Sequence, residues 1–439
     1  MSDPLRRVLF VSGSGSGNTL RYRVRLAEEA LRSRGVRTAA VHFTDPLLTR
    51  WADGADVVAL YRTPGTRRVL DLVRHARENL GVPVTFDVDD QVFLPEHLRS
   101  IPFLDDLPPG ARRIFEADVL RRGGLVPFVD RASGTTRPVA EDLATLTSAP
   151  VDVVPNGVSR AGRRLAAATQ RRAPDGRVRL GYFSGSATHD EDWSEIEPAV
   201  VAVMDADPRV DLWLVGPLTS GESLDRLGDR VTRVLPVPWS DLPTLLAAVD
   251  INLAPLAATP FTAGKSAIKW LEAALVGTPT VATATPPFRD AVVDGVTGVL
   301  VEPHADWTGV LTRLVTDEAV RRELGEASRH AALRDFSPEV QADRYHAFFT
   351  AALLGPRTKI DRNALREVRQ GQGISRGLGL DLEAYPFDPE LADLGLTPPA
   401  GAGAWSRGRD ALRRSVLLGR RYYRGAARRV TRLRPGCDR

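Results

Sequence analysis

One cysteine in 439 residues, Cys437 beside the C-terminus, leaves no internal disulfide framework and no thiolate metal site. Redox chemistry is therefore not expected. Apart from His189, the histidines (His42, His75, His97, His304, His330 and His346) are scattered over helices and loops without ligand spacing, so no metal is expected. No apolar run approaches about 18 residues, and Met1 to Phe10 carries no signal-peptide pattern, so the expected location is cytoplasmic. The formal net charge is only +4, with much of the excess in the C-terminal tail, so the body of the chain needs no nucleic-acid partner. Lysine is nearly absent too. Positive charge is carried on arginine, and two of only three lysines, Lys265 and Lys269, fall within one short stretch.

What is present is ordinary globular material, 43% apolar and 26% charged, in a chain longer than one hydrophobic core usually serves. Two domains and an extension are expected. Arg7 to Val11 reads as a strand, Ser12 to Gly17 as a loop, and Tyr22 to Arg34 as an amphipathic helix stopped by Gly35. Strands at Val57 to Tyr61, Val84 to Phe86 and Pro127 to Val129 then alternate with helices at Thr66 to Leu80, Ala111 to Arg122 and Val139 to Leu146. A second half repeats the scheme, with strands near Val178 to Tyr182, Leu212 to Val215, Val231 to Leu235, Ile251 to Leu253, Thr280 to Ala282 and Val299 to Val301. Such alternation predicts an α/β fold of two Rossmann-like, doubly wound parallel sheets facing across a cleft, with ligands at the strands' carboxyl ends.

The lysine stretch runs from Phe261 to Val281. Ile268, Leu271 and Leu275 recur at i, i+3 and i+7 as a core face, while Lys265, Lys269 and Glu272 recur at i, i+4 and i+7 on another. A helix that starts at Gly264-Lys265-Ser266 turns its free amides, its positive dipole end and Lys265 toward one place, which suits a phosphate. Glu272, two turns in, can accept hydrogen bonds from sugar hydroxyls; the plain alternative is a solvated face with a Lys269–Glu272 pair. Gly277 then ends the helix and Thr278-Pro-Thr-Val-Ala282 starts a buried strand.

The loop carrying Gly13, Gly15 and Gly17 lacks both the dinucleotide spacing and the lysine of a P-loop, Asn18 standing in its place. It is either a flexible turn that lets backbone approach a substrate, with Arg21 and Arg23 facing the cleft, or a tight turn with surface arginines. Asp87, Asp89 and Asp90 follow an apolar strand, where they either serve chemistry or cap the next turn. Gly185, Ser186, Thr188 and His189 form a second glycine loop, followed by Asp190, which either borders the ligand or caps a helix.

Taken in order, Lys265-Ser-x-x-Lys-x-x-Glu272, Gly277-x-Pro-x-Val-Ala282 and Gly295-Val-Thr-Gly-Val-Leu-Val301 resemble the nucleotide-sugar site of retaining GT-B glycosyltransferases of glycosyltransferase family 4. Asp87-Val-Asp-Asp90, Val154-Pro-Asn-Gly157, Leu180 to Asp190 and Leu212 to Pro217 fall in the matching order, and the resemblance covers roughly residues 6 to 350. It implies an acceptor-side domain at 1–158, a nucleotide-sugar-binding domain at 159–340, and a helix at 341–355 returning to the first domain. The implied activity is hexosyltransferase-type: metal-independent transfer, with retention, from a nucleotide-diphosphate sugar to a hydroxyl of a glycan, a lipid-linked or a small-molecule acceptor. No cofactor is implied beyond that donor.

Implied roles are catalysis for Lys265, Lys269, Glu272, Asp89 and Asp90, donor binding for Gly185, Ser186, Thr188, His189, Gly216, Gly264 and Ser266, and acceptor contact for Gly15, Gly17, Arg21 and Arg23. By the same resemblance, one of Asp87, Asp89 and Asp90 orients or deprotonates an acceptor hydroxyl. The chain departs from the commonest pattern, Glu-x7-Glu, at its first position, where Gly264 stands, and it lacks the Arg…Lys pair common after the second domain's first strand. Those departures motivate an alternative, a non-catalytic nucleotide-sugar-binding GT-B subunit. A GT-A transferase holding a metal at Asp87 and Asp89 is a further alternative, which leaves the second αβ half unexplained. Residues 356–439 lie beyond the resemblance as a linker and a basic segment, with twelve arginines after Gly403. Residues 405–434 are either an amphipathic helix lying on anionic lipid at the inner face of the membrane, or a solvated tail.

Overall fold

A computed structural model describes residues 4–14, 20–101, 104, 105, 107, 109–185, 190–218 and 221–359. Gly15, Gly17, Ser186, Thr188, His189 and the 405–434 segment lie outside the described residues.

The first half is a six-stranded parallel sheet of β1 (Arg7–Ser12), β2 (Arg37–His42), β3 (Val57–Tyr61), β4 (Val84–Val88), β5 (Arg131–Gly134) and β6 (Val151–Val153). Its spatial order is β2-β1-β3-β4-β5-β6, so the direction of winding switches between β1 and β3. The second sheet holds β7 (Val178–Phe183), β8 (Val210–Val215), β9 (Val231–Val234), β10 (Ile251–Ala254), β11 (Thr280–Thr283) and β12 (Val299–Val301), in the order β12-β11-β10-β7-β8-β9. This is the doubly wound dinucleotide-fold order, switching between β7 and β10. At each switch the connecting helices leave on opposite faces and a crevice opens at the carboxyl ends. The chain thus has two built-in ligand crevices, one per sheet. Among the described residues no helix is long and apolar enough to cross a membrane.

The elements depart from the sequence reading in four places. Pro127 to Val129 is no strand: Val126–Phe128 is a short 3-10 turn, and the strand is Arg131–Gly134. Pro127 has no backbone N–H for a ladder, whereas a turn does not need one. Arg37–His42 pairs as edge strand β2 although only Val41 in it is buried, which is why apolar patterning did not reveal it. The short β6 was likewise unread. The closing helix begins at Pro338 and runs to Leu354. Its Ala342, Tyr345, Phe348 and Phe349 pack with Phe10, Val24 and Leu31, so the end of the second half is bound into the core of the first.

Candidate active site

The second sheet's crevice is framed by Ser184 and Gly185 after β7 and by the loop that leaves β10. In that loop Pro260–Ala263 forms one helical turn, capped reciprocally by Thr259 and Thr262, before Gly264-Lys265-Ser266 leads into the Ile268–Leu275 helix. No side chain caps that helix, since Ala267 occupies its N-cap, and its first-turn amides are left to a ligand or water. Trp270, Leu271, Ala273 and Ala274 are its buried residues. Lys265, expected on the helix face, sits in the loop just before it.

The loop is held against the first half at four points. Phe261 is buried in the first half's core. Thr136 Oγ1 donates to the Gly264 carbonyl at 2.9 Å, Asn156 Nδ2 donates to Ser266 Oγ at 3.0 Å, and Lys265 Nζ lies 3.2 Å from Asp90 Oδ1. Lys265 also lies over the Phe261 ring, 4.5 Å from its centroid. Lys269 is different: its Nζ is shielded from solvent with no hydrogen-bond partner, 4.4 Å from the centroid of Tyr182. Glu272, one turn further, accepts a hydrogen bond from the Tyr22 hydroxyl, which in turn accepts from Trp239 Nε1 at 3.0 Å. Arg21 stacks over the Trp239 ring at 4.1 Å. Tyr22, Trp239, Arg21 and Glu272 border a mostly apolar hollow that Leu242, Leu271 and Leu275 also line.

Burial sets the protonation of this cluster. It lowers Lys269 to about 8; Asp192 pulls the other way and Lys265 adds to the lowering. Burial raises Glu272 to about 7, against the Tyr22 hydrogen bond and the Lys269 charge. Asp90 is pushed up by burial but held down at about 2 by the Lys265 ammonium and the Arg62 guanidinium. An ammonium with no counter-charge in contact, beside a second ammonium and an uncapped helix end, is a site with unspent positive potential. An anion with several oxygens would complete it.

The first half's carboxylates divide by partner. Asp87 and Arg23 form a bidentate pair, with Nη2 to Oδ1 at 2.5 Å and Nε to Oδ2 at 2.9 Å. The Arg23 side chain is fully buried, its Nη1 donating to the Val154 carbonyl at 2.6 Å. Arg23, expected at the acceptor side of the cleft, is therefore a strut inside the first half. Arg21, its neighbour in that expectation, does reach the seam at Trp239. Asp89 accepts from the Tyr61 hydroxyl at 3.0 Å and from Arg62, and burial raises it; Asp90 alone of the three touches the second half. A metal held by Asp87 and Asp89 finds both carboxylates committed to guanidinium groups, and two parallel sheets are not a GT-A frame. Among the described residues no three His, Cys, Asp or Glu side chains cluster as a metal site.

Gly216 is a packing position: its φ is +101°, and a Cβ there would lie 1.9 Å from the Ser184 carbonyl oxygen. Only glycine lets β8 end against the loop after β7. Gly264 has an ordinary φ of −89°, yet a Cβ would lie 2.5 Å from Gln91 Oε1 of the first half. Sequence reasoning missed Gln91, Tyr22, Trp239, Tyr182 and Asp192 as site residues. Trp239, in the Pro-Val-Pro-Trp run after β9, carried a signal as a large aromatic in a loop; the others looked like ordinary helix or strand positions.

Residues 184–317 match the family described as glycosyl transferases group 1. The D-inositol 3-phosphate glycosyltransferase of Salinispora arenicola (strain CNS-205) is 33% identical over 288 residues, 58% of this chain and 61% of that protein. The enzyme of the same name from Mycobacterium bovis (strain BCG / Pasteur 1173P2) is 36% identical over 169 residues, 36% of this chain and 32% of that one. The chain thus matches less than two thirds of the length of these curated relatives. Among solved structures, sucrose-phosphate synthase from Thermosynechococcus elongatus superposes with a TM-score of 0.56 at 17% identity, covering 78% of this chain and 98% of that one. Anabaena HepE, solved with UDP and glucose, gives 0.53 at 14%, covering 79% and 100%. At such identities the likeness is one of fold, and the fold is GT-B.

Proposed function

From the premise that this chain is a GT-B protein of the glycosyltransferase family 4 type, with a group 1 glycosyl transferase domain at residues 184–317, we propose that it transfers a sugar from a nucleoside-diphosphate sugar to an acceptor hydroxyl. The observation that carries the proposal is Lys269, a buried ammonium without a hydrogen-bond partner at the start of an uncapped helix. The diphosphate binds there between Lys269, Lys265 and the first helical amides. Glu272 takes the ribose hydroxyls in place of Tyr22, and the adjoining apolar hollow takes the base.

Transfer breaks the bond between the anomeric carbon and the diphosphate oxygen and forms one to the acceptor oxygen. The acceptor's proton passes to an oxygen of the departing diphosphate. Negative charge grows on the departing diphosphate, and fixed positive groups in a water-poor site stabilise it more strongly than solvent does. No metal is then required. Retention without a protein nucleophile has the acceptor oxygen enter on the face from which the diphosphate departs. Lys265, relieved of Asp90 when the diphosphate arrives, leaves that carboxylate beside the acceptor side of the cleft. The acceptor domain is 1–158 and the donor domain 159–340, with 341–355 tying them together and a hinge at Asn156 to Arg160 that closes over the donor. The name of the relatives makes a phosphorylated cyclic polyol the first acceptor to test.

Thermal-shift and calorimetric titration of UDP, GDP, dTDP and ADP, each with magnesium and with EDTA, checks the reading, because a ligand of the folded state must raise the melting temperature. One diphosphate is expected to bind equally well with EDTA and to be weakened by Lys265→Ala, Lys269→Ala and Glu272→Ala. Binding of none, or binding that needs metal and ignores these residues, refutes the reading. Donor binding without transfer or hydrolysis, even with acceptors supplied, favours a non-catalytic binding subunit.

A further inference from the structure

Gln91 follows the Asp89-Asp90 pair and reaches the seam between the halves. The residue is 4% exposed. Nε2 donates to Asp142 Oδ2 at 2.6 Å, and the same oxygen lies 2.8 Å from His97 Nε2. A carboxylate only accepts, so Asp142 fixes which end of the amide points away from it. That end is Oε1, a buried acceptor with no hydrogen-bond partner. It points at Gly264, where a Cβ would lie only 2.5 Å from it. Leaving a buried carbonyl unpaired is unfavourable, and the alternative of turning the amide is closed off by Asp142.

The orphaned oxygen therefore stands against the bare backbone of the residue preceding Lys265, whose ammonium flanks the diphosphate in the function proposed above. Atoms one bond further along a donor from that diphosphate belong to its sugar. They are hydroxyl groups, which can donate the hydrogen bond Oε1 lacks. We infer that Gln91, reaching across from the first half, is a specificity-determining residue for the donor sugar: its Oε1 accepts a hydrogen bond from a sugar hydroxyl admitted beside Gly264. The glycine lets the Gln91 amide come this close to the second half, since a Cβ at 264 would also lie 2.7 Å from Gln91 Cδ. Sugar discrimination then depends on the two halves being together. This inference rests on the proposed donor site, and the test separates the two.

The nucleoside diphosphate that binds the wild-type chain is titrated calorimetrically, alone and as its glucose, galactose, mannose and N-acetylglucosamine conjugates. The same is done with Gln91→Ala and with Gln91→Met, which keeps the volume and removes the acceptor. Both variants are expected to bind the preferred conjugate about tenfold more weakly while binding the free diphosphate within about twofold of wild type. Equal changes for conjugate and free diphosphate, no change for any conjugate, or a wild-type chain that distinguishes no conjugate from the free diphosphate overturns the assignment of Gln91. A wild-type chain that binds no nucleoside diphosphate refutes the proposed function instead. Should Gln91→Ala lower the melting temperature strongly, the comparison is read from Gln91→Met.

Discussion

Raising the pH above about 8 should discharge Lys269 and with it much of the pull on a nucleoside diphosphate. An ordinary lysine keeps its proton to beyond pH 10, but burial brings this one to about 8. At pH 9, one unit above that value, only about a tenth of free protein carries the charge, so affinity should fall about tenfold per further pH unit. Binding at pH 9 should also take up close to one proton per nucleotide, because the bound diphosphate restores the ammonium. On the acid side Glu272 protonates at about 7, so its carboxylate no longer takes both ribose hydroxyls and affinity falls again. The optimum lies in a narrow band near pH 7 to 8. Calorimetry at pH 6, 7.5 and 9 in buffers of different ionisation enthalpy reads both the affinity and the proton uptake. Lys269→Met should bind weakly and lose the alkaline limb. Affinity that stays level to pH 10, or an alkaline limb that survives in Lys269→Met, refutes the reasoning.

Four further outcomes follow from the same contacts. Glu272→Gln should stabilise the fold at pH 8 by up to about 3 kcal/mol, taking the rise from 4.5 to about 7 at about 1.4 kcal/mol per unit. The sign follows from a raised acid: its folded state prefers the proton, so stability is lost as pH rises from 4.5 through 7, and by pH 4 urea melts of variant and wild type should coincide. Arg23→Met should cost about 3–5 kcal/mol in urea unfolding, because it leaves Asp87 inside the first half without its guanidinium; unchanged stability would restore Arg23 as a free cleft residue. Tyr22→Phe should tighten nucleoside-diphosphate binding severalfold, since the phenol and the ribose compete for Glu272, and weaker binding would mean that Tyr22 touches the nucleotide itself. Gly216→Ala should lower the melting temperature sharply, because its Cβ would overlap the Ser184 carbonyl in a left-handed conformation.

Local pattern made much of the frame legible. Runs such as Val178 to Tyr182 and Thr280 to Ala282 are short, mostly apolar and bounded by breakers, and they are largely buried strands. The Gly277 stop appears as a residue at φ +71° directly after the helix. Reading failed where the pattern carries no signal. Edge strand β2 buries one residue of six, so its alternation is weak, and Val126–Phe128 has a strand's composition but a proline that suits a turn.

The sequence by itself determined that Lys265, Lys269 and Glu272 share one short stretch at a helix start, because spacing along a helix is local geometry. It determined two αβ halves, because alternation and length are local as well. Only the tertiary structure decided what each group meets. In an arginine-rich chain nothing marks Arg23 as the one that folds inward onto Asp87, or Arg21 as the one that stacks on Trp239. Asp90 with Lys265, Tyr22 with Glu272, and Gln91 with Gly264 are pairs drawn from different halves, and no periodicity connects residues so far apart. The altered protonation of Lys269 and Glu272 belongs to the same level, since it is burial, and not residue type, that moves them.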